Sequence, residues 1–93
     1  MKQLIEDNYK VTIKRGLISP STTVQDFIDK IYEEVDELQN EIDTGKTYNF
    51  DKLKYELADV ILTCLNMSKH FNIDIEQQMK SNVRRNKFRI PKQ

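Results

Sequence analysis

The sequence predicts an all-α fold of four helices in a single domain that spans residues 1–93. Gly and Pro, which interrupt helices, occur only twice each in 93 residues. Charged residues make up 32% of the chain, and apolar residues recur at the three- and four-residue spacing of amphipathic helices. A chain of this length supports only a small core, so assembly into a homo-oligomer is expected to bury further apolar surface.

The first two helices are predicted over residues 2–15 and 23–43. Gly16 lies where a helix-ending residue is expected. Thr23 can cap the second helix, with Asp26 three residues later in a weak capping box. The second helix carries one apolar stripe at helical spacing, formed by Val24, Phe27, Ile28, Ile31, Val35, Leu38 and Ile42. In the first helix, Asn8, Tyr9, Lys10 and Arg15 could reach a ligand, but surface placement is the default interpretation.

The third helix is predicted to begin after a turn at residues 44–46, with Asn49 or Asp51 as its cap, and to end near Phe71. Apolar residues surround most of it, which indicates a central helix or one that faces a partner subunit. One polar strip runs along it, formed by Glu56, Asp59, Thr63, Asn66 and His70. His70 is expected to contact the terminal carbonyls of this helix rather than to act as a catalytic base.

The fourth helix is predicted from Ile75, capped by Asp74, to about Asn86 or beyond, with Pro91 as its limit. Its inward face begins with apolar residues and then continues through polar ones, Asn82, Asn86 and Arg89. Polar groups at positions where core residues are expected indicate contact with a ligand or a partner.

Charge is distributed unevenly along a chain whose formal net charge is zero. Residues 26–43 contain eight acids and one base, whereas residues 80–93 contain six bases and no acid. The basic tail could contact nucleic acid, but the acidic surface would repel a phosphate backbone. A small polyphosphate fits the acidic segment and the basic tail better than a nucleic acid does. Carboxylate-bound magnesium bridges phosphate oxygens, while Arg and Lys neutralise the remaining charge. A nucleotide phosphate is therefore favoured over DNA or RNA.

Two acidic motifs on consecutive helices indicate a metal site. Each of them, residues 33–37 and residues 56–59, has two carboxylates three positions apart, on one side of its helix. At about 5 Å and an effective dielectric near 20, an unscreened pair costs about 3 kcal/mol, which a divalent cation would offset. Oxygen ligands favour magnesium or manganese over zinc. Solvated helix surface with intrahelical ion pairs is the alternative interpretation.

Helical spacing separates the acids of the first motif from one another. Glu34 and Glu37 fall along one flank of the apolar stripe of the second helix, which makes them the better ligand candidates. Glu33 points nearly opposite the stripe, and Asp36 lies on the other flank.

The two motifs resemble the signature of the MazG-like, all-α nucleoside triphosphate pyrophosphatases, Glu-Glu-x-x-Glu followed after a spacer by Glu-x-x-Asp. The spacer here is eighteen residues, 38–55, and the resemblance covers roughly residues 23–89. Asn86-x-x-Arg89 matches the end of the family's Lys-x-x-x-Asn-x-x-Arg element, although Asn82 stands at the lysine position. Because Asn82-x-x-Arg85 repeats the spacing, both registers remain open.

The resemblance implies a MazG-like bundle subunit that hydrolyses a (deoxy)nucleoside triphosphate to the monophosphate and pyrophosphate with magnesium, or with manganese. It implies a homodimer or homotetramer. The implied metal ligands are Glu34, Glu37, Glu56 and Asp59. One of these, or Glu33, is expected to orient the attacking water. The implied substrate contacts are Asn82, Arg85, Asn86 and Arg89.

Two alternatives stay open at this point. Phosphoribosyl-ATP pyrophosphatase shares the helix plan and the acidic motif, but that family often places a His where Thr63 and Cys64 stand here. A non-catalytic helical interaction module would use the acids as surface and the basic tail for a partner. The single cysteine and the lack of a long apolar run lead us to expect a cytoplasmic protein without membrane association.

Overall fold

The computed structural model describes residues 1–43 and 49–89, and it confirms the all-α prediction. Four helices follow one another along the chain: α1 (Lys2–Lys14), α2 (Val24–Asp43), α3 (Phe50–His70) and α4 (Ile75–Lys87). The described residues contain no strand. No helix within those ranges is both long enough and apolar enough to cross a bilayer. The turn predicted at residues 44–46 and the limit predicted at Pro91 lie outside the described residues.

The helices begin where local hydrogen bonding predicts. The Asp26 N–H donates to Thr23 Oγ1 at 3.1 Å, and the Thr23 N–H donates to Asp26 Oδ2 at 2.9 Å, which completes a capping box for α2. Hydrogen bonding from the Thr23 backbone N–H, followed by that from the Thr23 side chain, lowers the pKa of the Asp26 carboxyl. Of the two caps predicted for α3, Asn49 is the one used. Asp74 caps α4 through its side chain, as predicted.

The packed unit of the chain consists of α1, α2 and α3, with α3 in contact with both of the others. Among the described residues, its buried apolar side chains are few: Ile18, Phe27 and Leu65. The Phe27 ring lies 5.0 Å from the ring of His70 and 5.7 Å from that of Phe71. These contacts join the start of α2 to the end of α3, so the two helices run antiparallel.

The fourth helix stands apart from this unit. Within residues 1–43 and 49–89, α4 packs extensively against none of the other helices. The radius of gyration is 15.7 Å, whereas a compact chain of this length has a value of about 12 Å. The four predicted helices are thus present, but in a single chain the close packing is confined to α1, α2 and α3.

The expectation that His70 contacts the terminal carbonyls of its own helix is wrong. Its Nε2 lies 3.0 Å from the carbonyl oxygen of Thr22. Because a carbonyl only accepts, Nε2 carries the hydrogen, and Nδ1 accepts one from the Tyr9 hydroxyl at 2.8 Å. His70 therefore connects α1, the segment before α2 and the end of α3.

Candidate active site

Carboxylates from α2 and α3 meet at one place in the fold. Glu34 of α2 and Glu56 and Asp59 of α3 each offer an oxygen, and these oxygens lie within 4.8 Å of one another. The antiparallel packing sets the middle of α2 against the first half of α3. Since residues three apart share a helix face, Glu56 and Asp59 both point toward Glu34. We call these three residues the carboxylate cluster.

The cluster is partly withdrawn from water. Glu34 is only 8% exposed, and one oxygen of Glu34 and one of Glu56, Oε2 in each, are enclosed by protein. Within the part of the chain that the structure describes, neither oxygen has a hydrogen-bond partner. An enclosed carboxylate oxygen without a partner is costly. The donor set and the two unpartnered oxygens therefore fit a hard divalent cation such as magnesium.

Lys30 supplies part of the missing positive charge. Its Nζ lies 3.3 Å from Glu34 and 3.6 Å from Glu33, one turn along the same helix. Burial lowers the pKa of Lys30, but the hydrogen bond to Glu34 and the charges of Glu33 and Glu34 outweigh that effect and raise it. The cluster therefore retains more negative charge than this single ammonium group balances.

The pKa of the Asp59 carboxyl is raised, in agreement with an excess of negative charge in the cluster. Burial, followed by the charge of Glu34, raises the pKa of the Asp59 carboxyl, while Lys30 opposes the increase. Both causes disfavour the ionised form, as expected when like charges share a poorly hydrated site.

Glu37 and Glu33 lie at the edge of the cluster. Glu37 is exposed and is not among the three residues whose oxygens converge. The charge of Glu34, followed by desolvation and the charge of Glu56, raises its pKa, so it still interacts with the cluster. Glu33 is exposed and pairs with Lys30.

The predicted substrate contacts on α4 and just beyond it lie elsewhere in a single chain. Asn82 accepts a hydrogen bond from Gln78 at 3.0 Å, and Arg85 donates one to Asn86 at 3.5 Å. Arg89 follows the end of α4 and is exposed. The structure does not bring these side chains to a cavity that Glu34 and Asp59 line.

An open cavity of about 560 Å³ lies between α1, α2 and α3, and Glu34 and Asp59 of the carboxylate cluster line it. Pockets of this size hold small ligands. Its lining also includes Asn8 and Thr12 of α1, Arg15 at the C-cap of α1, and Thr63 and Asn66 of α3.

The sequence left ligand contact by Asn8 and Arg15 open, with the surface as their default assignment, since no local pattern shows which helix α1 packs against. For α3 a signal existed, because Thr63 and Asn66 continue the polar strip that begins with the acidic pair.

Comparison with known proteins identifies one family. Residues 22–93 match the family model of the MazG nucleotide pyrophosphohydrolase domain. The matched range contains α2, α3 and α4, and α1 precedes it. No curated relative and no solved structure matches the chain.

If the carboxylate cluster holds magnesium, Glu56→Gln should remove both the repulsion and the response to the ion. The amide can donate to a neighbouring carboxylate, so the metal-free protein should gain about 1–2 kcal/mol in free energy of unfolding. Urea denaturation with EDTA measures this gain, and thermal melts with and without magnesium measure the response. Asp36→Asn is the matched control, since Asp36 is an exposed acid of α2 outside the cluster. Equal magnesium responses in wild type and Glu56→Gln would contradict the assignment.

Magnesium binding should weaken on acidification. The pKa values of Asp59 and Glu37 are raised, so protons compete with the cation at a higher pH than they do at an ordinary carboxylate. We expect the apparent Kd for magnesium to increase as the pH is lowered from about 7 to about 4, the ordinary carboxylate range, as measured by titration calorimetry. Asp59→Asn should shift this dependence to lower pH while weakening binding overall. A Kd that stays constant over this range would show that neither carboxylate contributes to binding.

Proposed function

Because the chain belongs to the MazG nucleotide pyrophosphohydrolase domain family, we propose that it hydrolyses nucleoside or deoxynucleoside triphosphates to the monophosphate and pyrophosphate, with magnesium. One observation carries the proposal. Three carboxylates from two helices converge within 4.8 Å, and two of them keep an enclosed oxygen without a protein partner. Two of the three, Glu34 and Asp59, line a cavity large enough for a nucleotide.

Glu34, Glu56 and Asp59 are the proposed ligands of magnesium, which manganese could replace. Glu37 is the proposed fourth ligand, because the charges of Glu34 and Glu56 already act on its carboxyl group and raise its pKa. A bound divalent cation lowers the pKa of coordinated water and stabilises negative charge on a leaving pyrophosphate.

The remaining charged residues have separate roles in the proposed reaction. A water oxygen attacks the α-phosphorus, the bond to the oxygen that bridges the α and β phosphates breaks, and pyrophosphate leaves. Glu33, or a carboxylate of the cluster, orients this water and accepts its proton. Lys30 and Arg15 line the cavity and can neutralise phosphate oxygens that the cation does not contact.

A second subunit is the proposed source of the α4 contacts. Apolar side chains on α3 face away from the carboxylates and are half exposed, with Leu57 at 47% and Ile61 at 51%. Since they lie one turn apart, they form a ridge that a partner subunit could cover. We therefore propose a homodimer or homotetramer that brings the α4 substrate contacts of one subunit to the carboxylates of another. The residues concerned are Asn82, Arg85, Asn86 and Arg89.

Release of pyrophosphate from a panel of NTPs, dNTPs and phosphoribosyl-ATP tests the activity. The wild-type protein should release pyrophosphate from at least one (d)NTP, only when magnesium or manganese is present. Glu56→Gln should lower kcat/KM by more than about 100-fold, since it removes a metal ligand, whereas Asp36→Asn should retain the wild-type value. Turnover of phosphoribosyl-ATP alone would indicate the alternative activity, that of a phosphoribosyl-ATP pyrophosphatase. No turnover of any compound would favour a non-catalytic interaction module.

Subunit complementation tests whether sites are shared. We expect Glu56→Gln and Asn86→Ala each to be inactive alone, because one lacks a metal ligand and the other a substrate contact. Hybrid oligomers, obtained by co-expression with two different tags, should regain part of the wild-type activity, since one hybrid site combines the two intact surfaces. Light scattering coupled to size exclusion confirms that the hybrids are oligomers. Inactive hybrids of wild-type mass would show that each site is built within a single subunit.

A further inference from the structure

The cavity has a second end, chemically unlike the carboxylate cluster, and α1 forms it. Asn66 lies seven residues beyond Asp59 on α3, about 10 Å along the helix axis. That separation is comparable with the distance between the phosphates of a nucleotide and its base. At this end the lining groups include the side chains of Asn8, Thr12, Thr63 and Asn66. These amides and hydroxyls are neutral and both donate and accept hydrogen bonds.

Hydrogen bonds within the protein fix the orientation of the Asn8 and Asn66 side-chain amides. The carbonyl of Leu62 can only accept, so the Asn8 atom 3.2 Å from it must be Nδ2. The same Nδ2 donates to Asn66 Oδ1 at 2.8 Å. Asn66 Nδ2 in turn donates to Thr12 Oγ1 at 3.0 Å. The Thr12 hydroxyl donates to the backbone carbonyl oxygen of Asn8 at 2.8 Å. A closed network of this kind leaves little rotational freedom to the two amides.

The network leaves specific groups for a ligand. Asn8 uses both hydrogens of Nδ2 within the protein, on Leu62 and Asn66, so its Oδ1 remains as an acceptor at the cavity. Asn66 is only 7% exposed, and the hydrogen bonds to Asn8 and Thr12 hold its amide in place. An oriented amide oxygen suits the N–H groups on the edge of a nucleobase, as in the recognition of bases by Asn side chains.

We propose that α1 supplies the base-recognition end of the site, with Asn8 as the specificity-determining residue that accepts a hydrogen bond from an N–H of the nucleobase. Asn66 and Thr12 are positioning residues that hold the Asn8 amide. This inference rests on the proposed function, since it assumes that a nucleoside triphosphate enters with its phosphates at the carboxylates. Asn8 and Thr12 lie outside the family match, which begins at residue 22.

The competing explanation is that Asn8 only attaches α1 to α3. Tyr9 provides the control, because its hydrogen bond to His70 also attaches α1 to α3 and Tyr9 is not among the described residues that line the cavity. Loss of attachment alone would affect every substrate equally. Loss of base recognition would affect only substrates that have a base.

The test compares the best nucleotide substrate with methyl triphosphate, which has the triphosphate but no base. Both compounds compete in one reaction, and ³¹P NMR or ion-exchange chromatography separates the two monophosphate products. The ratio of their kcat/KM values does not depend on how much of the preparation is folded. Asn8→Ala should lower this ratio about tenfold, near the upper end of the effect of one lost hydrogen bond, and Asn8→Ser should lower it as well. Tyr9→Phe should leave it unchanged.

An unchanged ratio in both Asn8 variants would overturn the inference while leaving the proposed function intact. An equal fall in Tyr9→Phe would also overturn it, because attachment of α1 would then explain the effect. A wild-type protein that hydrolyses no nucleotide would overturn the proposed function, and this inference would fall with it. A lowered ratio confined to the Asn8 variants would establish α1 as the base-recognition element.

Discussion

Carboxylates repel one another more strongly as water is removed from around them, and that constraint governs the centre of this fold. Antiparallel packing of α2 and α3 brings three acidic side chains within 4.8 Å and encloses two of their oxygens. Apolar contacts such as that of Phe27 with Phe71 hold the helices together in spite of this repulsion. A cation between the carboxylates would convert the repulsion into attraction, so its binding and the stability of the helix pair are thermodynamically linked.

The small core and the open cavity have the same cause, which is the polar character of the inner face of α3. Much of the α3 face that would fill the centre of a simple bundle carries polar side chains, including Asp59, Thr63 and Asn66. These residues line space instead of filling it, which leaves only three buried apolar side chains in the described residues. Leu57 and Ile61 remain exposed, and they form the apolar surface that the proposed contact between subunits would cover.

Local signals accounted for most of the fold and for the acidic part of the site. Helix ends followed from caps such as Thr23 with Asp26, which depend on residues three apart. The acidic pairs followed from the same short-range geometry. Contacts between distant residues could not be predicted in this way. Asn8 and Asn66 are 58 positions apart, and no periodicity in either helix specifies that they meet. His70 was misplaced for the same reason, because its partner Thr22 is 48 positions away.

The way α1 is attached has a consequence for how such a protein can evolve. Its contacts with α3 include directional hydrogen bonds, such as that of Tyr9 with His70, and it contains no buried residue. Replacing side chains on such a helix opens no void in close-packed apolar surroundings, which is the usual penalty for changing a core residue. Mutations can therefore accumulate on α1, and alter what enters the adjoining space, while the acidic helices behind it keep their sequence and their chemistry.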